Sequence, residues 1–303
     1  MKKLGIAAIF ISLCVITFVS TGCSYKHLLP RGPALTPDAT VSAGTGHFVM
    51  TAYKNTDRKR IRVWTHRPED WQAGDQVLFV MHGMSRNAKD YLDAWLDIAD
   101  QKNILIIAPE FHNKFYKYTT IDYQDGNLFG LFGEKNPREE WAFQVIDNII
   151  EKIESDNDFR IEKYDMFGHS GGGQFVHRMV LFYPDERLNI AIAANAGVYS
   201  FSDTTGDYPY TLPKGYSLSA QAIEKKLIVL VGEQDTATDT GSLDVSKAAL
   251  RQGANRLERG GNFFNAGQSI AKAENLDFAW SFQVVPDVGH DFMLMTEAAA
   301  DLL

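Results

Sequence analysis

Cysteine is almost missing from this 303-residue chain, which has only Cys14 and Cys23. Cys14 lies in an N-terminal segment that is predicted to be removed, so we expect no disulfide within the mature monomer, and the core must hold the fold alone. Basic residues are also in the minority, with 30 Lys and Arg against 38 Asp and Glu. They form no basic stripe, which argues against nucleic acid as a partner.

Motifs for metals and nucleotides are missing as well. The sequence has no H-E-x-x-H motif and no cluster of Cys and His residues. The glycines at 171–173 lack the lysine of a phosphate-binding P-loop. We therefore predict that the protein uses no metal and no other cofactor.

The first 22 residues have the features of a secretory signal, with two lysines before an apolar stretch from Leu4 to Val19. The small residues that follow resemble the lipobox of bacterial lipoproteins, in which the cysteine, here Cys23, is lipidated. Ser20 stands where that pattern prefers Leu, and Ser24 matches the outer-membrane sorting pattern. We predict an exported protein of the bacterial cell envelope that is held to the membrane by a lipid anchor at Cys23. An uncleaved membrane anchor and cleavage at another position are the alternatives.

The rest of the chain divides into a tether and one domain. Residues 23–46 contain Pro and Gly without lasting periodicity, which is typical of a linker. From residue 47 to 303, apolar strand-like stretches alternate with amphipathic helix-like stretches. The strand-like stretches are HFVMTAY, RIRVWTH, QVLFVMH, NILIIAPE, KYDMFGH, NIAIAANA, KLIVLVG and WSFQVVP. This alternation predicts an α/β fold with a mostly parallel eight-stranded sheet, helices on both faces and an antiparallel start.

Two long stretches, 111–137 and 197–219, break this alternation and are rich in aromatic residues. Long irregular loops in a compact domain usually carry function. Phe111 follows the fourth predicted strand and Tyr199 follows the sixth, and we predict that they form the wall of a pocket for an apolar or aromatic group. Packing of these rings onto the body of the domain is the alternative.

Residues 168–172, Gly-His-Ser-Gly-Gly, lie between a predicted strand and a predicted helix and match G-x-S-x-G. A serine on so sharp a turn is lifted above the sheet, and glycines on both sides avoid steric clashes. A flexible connector would show the same glycines, so the assignment of Ser170 as a nucleophile needs further elements of a site.

A serine hydroxyl needs a base to take its proton. Of the eight histidines, His290 is the best candidate, because it follows the last predicted strand in a loop that can reach across the strand ends. Asp235 follows the seventh strand and gives the order Ser, Asp, His. Glu233 and Asp239 are rivals for the role of the acid.

The remaining requirement is a pair of N–H groups to bind developing negative charge. His82-Gly83 follows the third predicted strand, and the next amide, that of Met84, is predicted to be one donor. Gly171, directly after Ser170, supplies the other. His82 is predicted to hold this loop by hydrogen bonds.

With these elements in place, residues 47–303 closely resemble the α/β-hydrolase superfamily. The stretches that begin MHGMSRNAKDY and GHSGGGQFVHR are similar to the polyhydroxyalkanoate-depolymerase and feruloyl-esterase-like group. The resemblance implies a serine hydrolase that cleaves carboxylic esters, small or polymeric, through an acyl-serine intermediate. Unlike the secreted members, the chain lacks their disulfides and binding module, which argues against polymer degradation. The alternatives are a peptidase or thioesterase with the same triad, or a catalytically silent, lipid-anchored binding module. The oligomeric state is left open.

Overall fold

The computed structural model describes residues 32–54, 56–130, 133–201, 206–239 and 241–303. The predicted signal peptide and Cys23 lie outside these ranges and remain predictions. One sheet contains strands β1 (Gly44–Tyr53), β2 (Thr56–Arg67), β3 (Val77–Met81), β4 (Leu105–Glu110), β5 (Tyr164–His169), β6 (Leu188–Ala194), β7 (Lys226–Gly232) and β8 (Ser281–Val285). All eight predicted strands are confirmed.

The strand order is β1-β2-β4-β3-β5-β6-β7-β8. β1 pairs with β2, and β2 with β4, in antiparallel register, whereas every pair from β4 to β8 is parallel. The sequence has no helix-like stretch between its first two strands and therefore predicts an antiparallel start. The antiparallel pair of β1 and β2 confirms this prediction. The carboxyl ends of the parallel strands meet along one edge of the sheet, where sites in such folds form.

Helices cover both faces of the sheet. They are α1 (Ala88–Asp93), α2 (Leu96–Lys102), α3 (Gln144–Asp156), α4 (Gly171–Phe182), α5 (Ala220–Glu224), α6 (Lys247–Leu250), α7 (Arg256–Glu274) and α8 (Phe292–Ala300). Side chains of β3 alternate between two apolar clusters, as the period of a strand requires. Phe79 belongs to a cluster that includes residues of α3, α4 and α7, and Leu78 belongs to one that includes residues of α1, α2 and α8.

The domain begins earlier than residue 47, within the segment that was predicted to be a tether. Ala39 and Val41 are buried, and their backbone N–H groups donate to side chains at the end of α3, Asp156 Oδ2 at 2.7 Å and Asn157 Oδ1 at 2.9 Å. Acceptors that lie more than 100 residues away in sequence cannot be seen in a local composition pattern. In the part of the chain that the structure describes, no helix combines the length and apolar character of a membrane span.

The sequence predicts one helix in each of the stretches 88–101 and 246–264, but each of these helices is interrupted in the structure. The stretch 88–101 forms α1 and α2, and the stretch 246–264 forms α6 and the first part of α7. The second break has a local cause, because Gly253 has a φ of +149° and Asn255 caps α7 by accepting a hydrogen bond from the Glu258 N–H. The break matters for the site, since it places the N-terminus of α7 beside the loop that follows β7.

Candidate active site

The predicted site residues lie at the carboxyl edge of the parallel strands. Ser170 directly follows β5, Asp235 comes three residues after β7, and His290 lies in the loop between β8 and α8. Met84 follows β3, which is the neighbour of β5 in the sheet. Residues up to 206 positions apart in the sequence are thus brought to one edge by the strand order alone.

Ser170 lies on a strained turn between β5 and α4. Its φ is +57° and its ψ is −114°, a conformation that is unusual for a residue with a side chain. The glycines on either side permit the turn: a Cβ atom on Gly168 would lie 2.3 Å from the Gly172 carbonyl oxygen, and one on Gly172 would lie 2.0 Å from that of Met81. The turn is therefore built to present one hydroxyl, at a cost in backbone strain.

Three side chains at this edge form a continuous chain of hydrogen bonds. Ser170 Oγ lies 3.1 Å from His290 Nε2, and His290 Nδ1 lies 2.7 Å from Asp235 Oδ2. Because a carboxylate can only accept, the Nδ1–H of His290 donates to Asp235, which leaves Nε2 free to accept from the serine hydroxyl. Asp235 is buried and His290 is partly exposed, so the imidazole faces the solvent side of the site.

The two rival acids lie elsewhere. Glu233 Oε2 accepts a hydrogen bond from the backbone N–H of Asp287, and it thereby ties the loop after β7 to the loop after β8. Asp239 is exposed. Of the three acids that follow β7, Asp235 is the one that contacts the imidazole of His290.

A second histidine, His169, lies beside His290. The two ring centroids are 4.6 Å apart, and His169 Nδ1 is within hydrogen-bond distance, 3.0 Å, of the Tyr91 hydroxyl. Burial, followed by the charges of His290 and Arg256, holds the pKa of His169 well below its usual range. His169 therefore stays neutral and does not compete with His290 for a proton near neutral pH.

Two backbone N–H groups next to Ser170 are free to bind an anion. A Cβ atom on Gly171 would lie 3.3 Å from Met84 N, and one on Gly83 would lie 3.7 Å from Ser170 Cβ, so both loops reach the serine. Neither the Met84 nor the Gly171 N–H donates to any other group in the described residues. These are the two predicted donors, and both N–H groups are available to a developing negative charge beside Ser170.

His82 fastens the loop that carries Met84, as the sequence predicts. It is fully buried, its Nδ1 donates to the Gly83 carbonyl, and its Nε2 accepts from the Phe111 N–H at 3.0 Å. Burial lowers the pKa of His82 to about 3, so the ring is neutral and can keep this pair of bonds. Across the described ranges, no group of three or more His, Cys, Asp or Glu side chains could hold a metal ion.

Asn195 joins the two loops that carry Asp235 and His290, and it is not among the residues that the sequence predicts for the site. It directly follows β6, its Oδ1 accepts from the Gly232 N–H at 2.8 Å, and its Nδ2 donates to the Gly289 carbonyl at 3.0 Å. Its φ is +45°, a conformation that Asn tolerates better than most residues. The feature of the sequence that could have pointed to this residue is an Asn directly after a buried strand.

The structure does not place Phe111 and Tyr199 on a pocket wall. Both are fully buried: Phe111 stacks on Tyr123 at 4.6 Å, and Tyr199 stacks on Phe263 at the same distance. Phe111 directly follows β4 and Tyr199 comes five residues after β6, and both rings belong to the hydrophobic core. The alternative, that these rings pack the loops onto the body, describes what is observed.

Other residues of the two aromatic loops line an open cleft of about 660 Å³. Its rings are Phe129, Trp141, Tyr208 and Tyr216, and its charged side chains are two lysines, Lys135 and Lys214, and two aspartates, Asp125 and Asp207. Neither Ser170 nor His290 is among the described lining residues. Gln124 lies between the cleft and Ser170. A Cβ atom on Gly171, the residue after Ser170, would lie 2.9 Å from the Gln124 side chain, and Asp125, the residue after Gln124, lines the cleft.

Comparison with solved structures finds close similarity over most of the chain. Poly(aspartic acid) hydrolase-1 from Sphingomonas sp. KT-1 is 34% identical, with a TM-score of 0.81 over 86% of this chain and 99% of that one. A poly(3-hydroxybutyrate) depolymerase from Bordetella parapertussis is 31% identical, with a TM-score of 0.80 over 86% and 89% of the two chains.

More distant structures share the fold. An S-formylglutathione hydrolase from Staphylococcus aureus is 14% identical, with a TM-score of 0.52 over 86% of this chain and 98% of that one. No protein-family model and no curated protein matches the sequence. The structural neighbours are hydrolases, which supports hydrolase activity for this chain.

Proposed function

This chain belongs to the α/β-hydrolase superfamily, and we propose that it is a serine hydrolase that cleaves carboxylic esters through an acyl-serine intermediate. The observation that carries the proposal is the hydrogen-bond chain from Ser170 through His290 to Asp235. Two N–H groups beside the serine, which have no acceptor among the residues that the structure describes, complete the requirements for acyl transfer.

The reaction begins when Ser170 Oγ attacks the ester carbonyl and its proton passes to His290 Nε2. The N–H groups of Met84 and Gly171 stabilise the oxyanion of the tetrahedral intermediate. His290 then gives the proton to the leaving alcohol, and the acyl group stays on Ser170. In the second half, His290 takes a proton from water, hydroxide attacks the acyl carbonyl, and Ser170 regains its proton as the acid leaves. Asp235 holds the imidazole in one tautomer throughout.

Amide hydrolysis is the second candidate, and one finding favours it: poly(aspartic acid) hydrolase-1 is 34% identical to this chain. The two most similar relatives reported above act, by their names, on a poly(amino acid) and on poly(3-hydroxybutyrate). The same triad serves both reactions. The leaving group that the enzyme prefers therefore has to be measured on matched ester, thioester and amide substrates with one common acyl group.

The proposal is tested with Ser170→Ala on a short nitrophenyl ester. We expect kcat to fall by at least about 1,000-fold, because the nucleophile is lost while the oxyanion donors remain. Ser85→Ala is the matched control, since Ser85 is an exposed serine next to Met84 that makes no hydrogen bond within the described residues. This control should hydrolyse the ester at close to the wild-type rate. Retention of most activity by Ser170→Ala would reject the proposal.

A further inference from the structure

The carboxylate of Asp235 has two partners. Oδ2 accepts from His290, and Oδ1 lies 3.2 Å from the Nη1 of Arg256, the first residue of α7. The Nη2 of Arg256 donates to Ser242 Oγ at 3.2 Å. The side chains of Asp235 and Arg256 are 2% and 1% exposed, so this ion pair is shielded from solvent.

A buried carboxylate oxygen without a partner would be costly, and a carboxylate held through one oxygen alone could rotate. Rotation would remove the acceptor that orients the His290 Nδ1–H. Arg256 prevents this rotation, because its charge-assisted hydrogen bond fixes one oxygen while the other faces the imidazole. Ser242 in turn limits the movement of the guanidinium.

We infer that Arg256 is a positioning residue of the active site, which acts through Asp235 to keep the imidazole of His290 aligned with Ser170. This role rests on the proposed function of the triad. Arg256 touches neither Ser170 nor His290, so its effect is expected in the chemical step and not in the binding of substrate. It adds a fourth side chain, from α7, to the three at the strand ends.

Arg259 provides a matched control on the same helix. It is also fully buried, but its guanidinium donates to backbone carbonyls alone, those of Gly253, Gly197 and Asp244. Loss of Arg256 and loss of Arg259 should therefore both lower stability. Only the loss of Arg256 should disturb the triad.

The experiment compares Arg256→Gln, Arg256→Lys, Arg259→Gln and Arg259→Lys in the full chain. Each protein is measured for kcat and KM on a short nitrophenyl ester and for the rate of labelling of Ser170 by a fluorophosphonate. For Arg256→Gln we expect kcat and the labelling rate to fall about 10- to 100-fold with little change in KM, less than the roughly 10,000-fold loss when a triad Asp becomes Asn. Arg256→Lys should recover part of the loss, because the ammonium still supplies a charge to Oδ1.

The Arg259 variants and the melting temperatures separate a positioning role from a structural one. If Arg259→Gln lowers kcat and labelling as much as Arg256→Gln at a similar melting temperature, or if Arg256→Gln keeps the wild-type kcat, the inference is wrong. If the Gln variants do not fold, the same comparison is made between the two Lys variants. The inference then requires a lower kcat for Arg256→Lys than for Arg259→Lys. Failure of the wild-type protein to label at Ser170 would instead reject the proposed function.

Discussion

Individual histidines of this protein differ in chemistry because their surroundings differ. His290 is partly exposed and has one carboxylate partner, whereas His82, His169 and His177 are buried. Burial keeps the pKa values of these three below the usual range of a histidine. In the proposed reaction, proton transfer at Ser170 therefore falls to His290, which reaches the hydroxyl and is partly exposed.

The substitution Asp235→Asn tests the acid of the proposed triad. We expect kcat to fall by roughly 10,000-fold, because an amide in place of the carboxylate stabilises the wrong tautomer of His290. Asp239→Asn is the control, since Asp239 is an exposed acid of the same loop. Steady-state kinetics on one ester measure both variants. A large loss with Asp239→Asn and a small one with Asp235→Asn would contradict the assignment.

Among the elements, the two aromatic loops are fixed by one buried arginine of α4. Arg178 donates to the backbone carbonyls of Gln124 and Pro209 and to Ser200 Oγ, and it pairs with Asp125 at 3.3 Å. Irregular backbone has no ladder of its own, so its carbonyl groups need other donors. The five N–H donors of a guanidinium suit this purpose. The shape of the cleft between the loops therefore depends on Arg178.

Replacing Arg178 with Met tests this dependence. We expect the free energy of unfolding to fall by about 3–5 kcal/mol, because the change leaves Asp125 and the loop carbonyls without their buried partner. Arg138→Met is the control: Arg138 is exposed and lies over the ring of Tyr183, and its loss should cost no more than about 0.5–1 kcal/mol. Urea unfolding measures both. Equal stability of Arg178→Met and the wild type would show that the loops are held in another way.

Elements that are defined by local pattern are the ones that the sequence predicts well. The apolar runs identify strands β3 to β7, and the Gly-x-Ser-x-Gly turn identifies Ser170. Arg256, Arg178 and Asn195 are not among the predicted residues, because each makes most of its side-chain hydrogen bonds with residues 14 to 94 positions away in sequence. Phe111 and Tyr199 were misplaced for a related reason, since their position after a strand does not show whether the ring points to the core or to the cleft.

For the whole molecule, the buried histidines make stability depend on pH. Their pKa values lie below the usual 6.5, so below pH 6.5 the unfolded chain takes up protons that the folded protein does not. The contribution of His82, His169 and His177 is therefore fully present above pH 6.5. It is lost progressively as the pH falls from 6.5 towards their folded-state pKa values, which for His82 is about 3.

We expect the free energy of unfolding to be lower at about pH 5.5 than at about pH 7.5, by up to roughly 1.4 kcal/mol for each buried histidine. Burial raises the pKa of Asp125, so its contribution to stability has the opposite dependence on pH. Urea unfolding in buffers of equal ionic strength measures the change. The control is a comparison of about pH 8.5 with pH 7.5, between which these histidines should cause no difference in the free energy of unfolding. A stability that rises on acidification to pH 5.5 would contradict the neutral state of these three side chains.

The central claim, that Ser170 is an activated nucleophile, is tested most directly by labelling the protein with a fluorophosphonate and mapping the adduct by mass spectrometry. The account predicts one adduct per chain, on Ser170, formed at a rate that falls sharply in His290→Ala and absent from Ser170→Ala. An adduct on another serine, or ester hydrolysis by a protein that shows no adduct on Ser170, would contradict it.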